Sequence, residues 1–286
     1  GDDNILAVRL ENFEEGSRWY PGAGLYRNVH VITTDESHIP VWGTYITTPE
    51  VNDNFARVNV KTKVVTGGSG EYKLVTEIID GDQELVASTE SLLTNYDLGE
   101  LSQSLMVNDP KLWDIKQSNL YKADSKLFKD GELVDVYTTT FGIRTIEIIA
   151  DEGFFLNGRK VKFQGVCLHH DLGPLGAAVN DAAIRRQISI MQDMGVNAIR
   201  TAHNMPSPDF VRIADEMGMM VMAESFDSWR IPRVRNGYNL YFDDWAEKDL
   251  INLVHNFRNS ASVVMWCIGN EVEEQSHSQG ARVARF

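Results

Sequence analysis

The chain has 286 residues, of which 43% are hydrophobic and 24% charged, an ordinary balance for a globular protein and one that argues against disorder or membrane spanning. Its formal net charge of −14 argues against nucleic acid or an anionic membrane surface as the main partner, because it has no excess of Lys and Arg to neutralise phosphates. The two cysteines, Cys167 and Cys267, lie in apolar strand-like runs on non-adjacent strands and are expected to be buried free thiols.

No signal peptide is visible: Gly1-Asp2-Asp3-Asn4 leads directly into Ile5 to Leu10, an apolar run that reads as the middle of a domain. Residues 1 to 37 hold two strand candidates, Ile5–Leu10 and Tyr26–Thr33, joined by a turn-rich connection from Ser17 to Gly24. Two strands do not make a stable sheet, so they are expected to close a β-domain begun elsewhere.

Residues 38 to 145 are written in strands, with Val41–Thr48, Ala56–Thr66, Glu71–Ile79, Leu101–Val107 and Leu133–Phe141 as the clearest candidates. Gly67-Gly68-Ser69-Gly70 and Asp80-Gly81-Asp82 supply turns, and Val58 to Val64 alternates as a half-buried strand does. About seven strands in roughly a hundred residues predict an immunoglobulin-like sandwich. It carries no catalytic grouping and reads as a scaffold.

From residue 146 the pattern changes. Asn157-Gly158 between apolar segments marks a tight hairpin, and strands then alternate with helices: Lys162–Cys167, a helix from Asp181, Asn197–Thr201, a helix from Ser207, Met219–Ala223, a helix from about Asp244, and Val263–Ile268. Ile184, Ile188 and Met191 share a face of the first helix, Ser207 and Pro208 open the second as N-cap and first residue, and Ala246, Leu250, Leu253, Val254 and Phe257 form the stripe of the third. Four strand–helix units amount to half of an eightfold TIM barrel. An open doubly wound sheet is the alternative, but Leu168-His169-His170-Asp171 follows the first strand where a Gly-rich phosphate loop would be needed.

Each of these strands ends on polar residues: His169, His170 and Asp171, then Arg200, His203 and Asn204, then Glu224 and Asp227, then Asn270 and Glu271. Parallel strands bring those ends to one rim, where barrel enzymes carry their chemistry. Glu271 is therefore a candidate acid or base, although a carboxylate there could also cap the next helix. A lone histidine is more often structural than functional, but four successive polar strand ends weaken that reading jointly. The three histidines lack HExxH or related spacing, and neither a metal nor a cofactor is expected. The long loop from Phe226 to Asp244 carries Trp229, Tyr238, Tyr241 and Phe242, flat faces for a sugar ring or local packing, together with Arg230, Arg233 and Arg235.

With these residues in view, the chain resembles glycoside hydrolase family 2, the family of β-galactosidases, β-glucuronidases and β-mannosidases. Ser17-Arg18-Trp19-Tyr20-Pro21-Gly22-Ala23-Gly24-Leu25-Tyr26-Arg27 is similar to the exit of that family's sugar-binding jelly-roll sandwich, and Phe141-Gly142-Ile143-Arg144 to the end of its immunoglobulin-like domain. Phe155-Leu156-Asn157-Gly158, Gly165-Val166 with His169, and Arg200-Thr201-Ala202-His203 resemble its barrel entry, and Gly269-Asn270-Glu271 its acid/base motif. The resemblance implies three parts: residues 1–37 as the end of the jelly roll, 38–145 as the immunoglobulin-like domain and 146–286 as the N-terminal half of a catalytic barrel.

The resemblance also implies an exo-acting, retaining β-glycoside hydrolase, most simply a β-galactosidase. Glu271 would be its general acid/base, raised in pKa by burial and a negative partner, while the nucleophile would come from a seventh strand outside this chain. Asn270 would bond the sugar 2-hydroxyl, His169 and His203 would line the glycone pocket, and Arg200 would sit beneath the nucleophile. Asp171, Glu224 and Trp229 complete the expected substrate-binding set. Ala223-Glu224 departs from the Asp-Glu of many relatives, and the Glu-x-His pair that helps hold magnesium in some β-galactosidases does not follow Glu224. The expected partner is a β-linked oligosaccharide or glycoside, with no nucleic acid and no membrane and with a homo-oligomer left open. The arginine trio keeps a β-glucuronidase in play, a β-mannosidase is a further alternative, and a non-catalytic carbohydrate-binding fragment is the rival of another class.

Overall fold

The computed structural model describes residues 5–18, 24–94, 99–278 and 280–285. Two β-strand layers are followed by a parallel sheet with helices, as the alternating and then βα-patterned text predicts.

The first layers contain seven strands: β1 (Thr44–Val51), β2 (Phe55–Lys63), β3 (Tyr72–Ile79), β4 (Leu85–Leu92), β5 (Glu100–Asn108), β6 (Tyr121–Lys129) and β7 (Glu132–Phe141). They form two antiparallel sheets, ordered β1-β2-β5 and β4-β3-β6-β7. The alternation in β2 and β3 is realised: Ala56, Val58 and Val60 from one sheet meet Ile78, Tyr121 and Ala123 from the other in a shared core. This is an immunoglobulin-like sandwich.

A small sheet joins sandwich to barrel: β8 (Ile146–Ile149), β9 (Gly153–Leu156) and β10 (Arg159–Lys160). Asn157 and Gly158 both take positive φ, 51° and 69°, which is the two-residue turn their sequence calls for. Buried side chains bridge the joint. Trp113 is fully buried and donates from Nε1 to the Asp215 carbonyl at 2.8 Å, while Arg144 donates to the carbonyls of Ala261 and Val263 at 2.5 and 2.8 Å.

The barrel portion has four parallel strands in sequence order: β11 (Gly165–Leu168), β12 (Ala198–Thr201), β13 (Met220–Glu224) and β14 (Val263–Cys267). Between them run α1 (Asp181–Asp193), α2 (Pro208–Met217) and α3 (Phe242–Phe257). Asn180 caps α1 by accepting from Ala183 N, Ser207 caps α2 by accepting from Phe210 N, and Gly218 ends α2 in the left-handed region. Ile199, Val221, Ala223 and Val263 point to the helix layer and pack on Ile184, Ile188, Ile213 and Leu253. Successive strand residues face opposite ways, so Arg200 and Glu224 point to the inner face. The helix α3 begins two residues earlier than expected, and Val254 lies at the exposed margin of its stripe.

The strand candidates Ile5–Leu10 and Tyr26–Thr33 are not strands: the chain there is irregular, with Ile5, Val31 and Ile32 exposed. A strand needs a neighbour for its backbone hydrogen bonds, and none of the described strands lies alongside. The segment is nonetheless tied to the barrel through its side chains, Arg27 Nη2 donating to the Met205 carbonyl at 2.6 Å and Asn28 Nδ2 to Asp209 at 3.2 Å. Residues 19–23 of the connecting turn lie outside the described residues. Both cysteines are free as expected, but they are not buried: Cys167 is exposed and Cys267 half-buried, because four strands leave the inner face of the sheet open.

Candidate active site

The parallel register brings the polar strand ends to one rim. Cys167 pairs with Arg200, Leu168 with Thr201, and Glu224 with Cys267, so the residues just past each strand meet.

At the centre is Glu224, whose side chain has no exposure. Its Oε2 accepts from Arg200 Nε at 2.6 Å, its Oε1 bonds His203 Nδ1 at 2.7 Å, and its backbone N donates to Thr201 Oγ1 at 3.0 Å. Both carboxylate oxygens of Glu224, expected in the substrate-binding set, are thus committed within the protein, and its side chain presents no surface. Arg200 answers on its other edge, Nη2 donating to Asn270 Oδ1 at 2.9 Å. Burial lowers the Arg200 pKa, but the Cys167 thiol and the Glu224 carboxylate outweigh it and leave the guanidinium above its ordinary value. His169 meets His203 edge to face at 5.2 Å between ring centroids. Burial first, and the neighbouring His203 next, hold the His169 imidazole below its ordinary pKa.

Asn270 and Glu271 follow β14. Asn270 is buried, 4% exposed, and its Nδ2 donates to Asp227 Oδ1 at 3.2 Å. Glu271 stands at φ 45°, a left-handed backbone that costs a non-glycine residue roughly 1–2 kcal/mol. Two contacts hold the turn. Arg233 Nη2 donates to the carbonyls of Asn270 and Glu271 at 2.8 and 2.5 Å, and Trp229 Nε1 donates to the Ile268 carbonyl at 2.7 Å. A Cβ on Gly269 would meet Trp229 Nε1 and Val272 Cγ1, both at 2.8 Å, so only glycine lets the indole close on the turn.

Two expectations change here. Trp229 is 5% exposed and packs with Phe226, Phe242 and Val272, so it supports the turn from inside and offers no open face to a sugar. Glu271 is not buried: its side chain is 76% exposed, and the charged group near it is a cation, Arg233 Nη1, 3.8 Å from Oε2. The inner face that would cover it is open in a four-stranded sheet.

Asp171 sits at the rim but works locally, Oδ1 accepting from Gly173 N at 2.8 Å to form the turn after β11. It lines a recess of about 430 Å³ with Ser17, Tyr26, His169, His170 and Asn204. The contacts of two arginines escaped the sequence reading. Arg18 grips Asp227 with two parallel bonds of 2.8 Å across 209 residues of chain, and Arg233 holds the turn after β14 by the carbonyls of Asn270 and Glu271; neither leaves a local spacing signal. Among the described residues no group of three or more His, Cys, Asp and Glu could hold a metal ion, and none of the helices is long and apolar enough to cross a membrane.

Comparison with known proteins agrees with this layout. Residues 38–144 match the model of glycosyl hydrolases family 2, and residues 147–285 match the TIM barrel domain of the same family. The beta-galactosidase BoGH2A of Bacteroides ovatus is 43% identical over 280 residues, 96% of this chain and 33% of its own length. A beta-glucuronidase of Bacteroides fragilis is 29% identical over 297 residues, 96% of this chain and 42% of its own length. Among solved structures, a glycosyl hydrolase family 2 member from Bacteroides cellulosilyticus superposes with a TM-score of 0.89 at 36% identity, covering 94% of this chain and 35% of that one. A beta-glycosidase from Bacteroides vulgatus gives 0.89 at 32% identity, covering 95% and 35%. The chain thus spans 33% to 42% of the length of these relatives.

Proposed function

Because the chain belongs to glycosyl hydrolases family 2, a family that hydrolyses O-glycosyl bonds, we propose that the whole protein is a retaining, exo-acting β-glycoside hydrolase with β-galactosides as its substrates. Glu271 is its general acid/base. Residues 1–37 are the end of an N-terminal sugar-binding jelly roll, and the nucleophile comes from a barrel strand beyond these 286 residues.

The observation that carries this reading is the Asn270-Glu271 pair at the carboxyl end of the fourth parallel strand, with the amide oriented from two sides. A retaining enzyme needs a carboxylic acid beside the leaving oxygen and a second carboxylate about 5 to 5.5 Å away to attack the anomeric carbon. The acid donates its proton as the glycosyl ester forms, then takes one from water as the ester is hydrolysed. The other described rim carboxylates are poor nucleophiles. Glu224 is sealed between Arg200 and His203, Asp227 is gripped by Arg18, and Asp171 closes a turn. This favours a nucleophile elsewhere.

For the sugar, the 43% identical relative is named a beta-galactosidase. A β-glucuronidase would need a cation for the sugar carboxylate. Here Arg230 is engaged with Asp243 and Arg233 with the carbonyls of Asn270 and Glu271, which occupies two of the three arginines on which that alternative rests. A non-catalytic carbohydrate binder would need open aromatic platforms, a role that the buried Trp229 does not fill.

The test is a screen of nitrophenyl β-glycosides with the whole protein, following by NMR the anomer first released. Turnover of the β-galactoside above the β-glucuronide and β-mannoside, with the β-anomer appearing first, is the expected result. The α-anomer first, or no turnover of any β-glycoside, would contradict the proposal.

A further inference from the structure

Arg18 and Asp227, which the acid/base assignment does not use, converge on Asn270. Arg18 Nε and Nη2 each donate to one oxygen of Asp227 at 2.8 Å, the two-pronged geometry that gives such a pair its directional strength. Asp227 Oδ1 also accepts from Asn270 Nδ2 at 3.2 Å, while Arg200 Nη2 donates to Asn270 Oδ1 at 2.9 Å from the other side.

A primary amide fits the same space in two orientations related by a half-turn, and only its partners choose between them. With a guanidinium at one end and a carboxylate at the other, the flipped form would set NH₂ against the cation and the carbonyl oxygen against the anion. Both contacts would be repulsive, so one orientation is enforced. Nδ2 carries two hydrogens, of which Asp227 takes one and leaves the second for a ligand. The arrangement requires Asp227 to be ionised. Burial pushes its pKa up, but the hydrogen bonds from Arg18 and Asn270 outweigh burial and hold the carboxyl below its usual range.

We propose that Arg18 and Asp227 are positioning residues that lock the Asn270 carboxamide so that its second Nδ2 hydrogen is offered to the hydroxyl at C2 of a bound β-glycoside. The proposal rests on the glycosidase reading. Through Arg18, a segment that precedes the sandwich helps set the geometry of the catalytic rim.

The experiment compares the whole protein with Asp227→Ala, Asp227→Asn and Arg18→Gln, measuring kcat/KM on an aryl β-glycoside and on its 2-deoxy counterpart. Asp227→Ala should lose about 10- to 100-fold on the 2-hydroxy substrate, the cost of a mispositioned contact, and far less on the 2-deoxy substrate. Asp227→Asn keeps an acceptor for Asn270 and should recover part of the loss. Arg18→Gln should follow the same substrate dependence and carries the test if Asp227→Ala does not fold. In an Asn270→Ala background, Asp227→Asn should have little further effect. Equal losses on both substrates, or none on either, would overturn the proposal alone. Absence of turnover by the unsubstituted protein on every β-glycoside would overturn the glycosidase reading and this proposal with it.

Discussion

Arg200 and Glu224 are joined by Nε–Oε2 contact at 2.6 Å, with the Glu224 side chain wholly removed from solvent. A carboxylate so placed is held by its partners: Arg200 on one oxygen and His203 on the other satisfy it, and it in turn fixes the direction in which Arg200 reaches Asn270. Glu224 is therefore the keystone beneath the rim, tying Arg200 and His203 together from inside.

Glu224→Gln should accordingly destabilise the protein by about 1–3 kcal/mol, since a carboxamide cannot satisfy the guanidinium and the imidazole as a carboxylate does. Denaturant titration measures this. An unchanged midpoint would contradict the keystone role.

The two rim histidines should part company. His203→Ala strips Glu224 Oε1 of its imidazole partner at a buried site and should lower stability by about 1–3 kcal/mol. His169→Ala removes a ring that meets His203 edge to face and should lower kcat/KM in the whole protein with a smaller change in melting temperature. Melting curves and steady-state kinetics on both variants check the contrast, and an equal loss of stability in both would refute it.

Asp215, at the joint between sandwich and barrel, is pushed up to about 6 by burial, against the opposing hydrogen bonds from Ser262 and Ser260 and the charge of Arg144. Its pKa in the unfolded chain is near the ordinary 3.8, so between these values the folded state binds more protons and stability falls as pH rises. At about 1.4 kcal/mol per pKa unit the loss is on the order of 3 kcal/mol, complete above pH 6. Asp215→Asn keeps an acceptor for Ser262 N, now 2.7 Å from Oδ1, and removes the titration. Urea midpoints from pH 4 to 7 should show a weaker decline in the variant than in the parent. Parallel profiles would contradict the assignment.

Much of this architecture was legible because local chemistry and tertiary structure agree. The caps Asn180 and Ser207, the Asn157-Gly158 turn and the polar ends of the parallel strands all stand where their residue types require. Two sandwich strands were hidden. β4 lies at a sheet edge and is mostly polar, with Val86 and Ala87 only partly buried, and β6 turns small Ala123 and Ser125 inward, which mutes its alternation. The site was readable as a set of strand ends, but its wiring was not. Arg18 meets Asp227 across 209 residues, Trp229 turns inward to close on Gly269, and Arg233 acts on backbone carbonyls, none of which a spacing encodes.

A general acid/base at Glu271 is tested most directly by leaving-group dependence. With Glu271→Gln in the whole protein, glycosides with poor leaving groups should lose about 10²- to 10⁴-fold in kcat/KM, while activated nitrophenyl glycosides, which need little protonation, should lose much less. Unchanged hydrolysis of the poor leaving groups, or an equal loss across the series, would contradict the assignment.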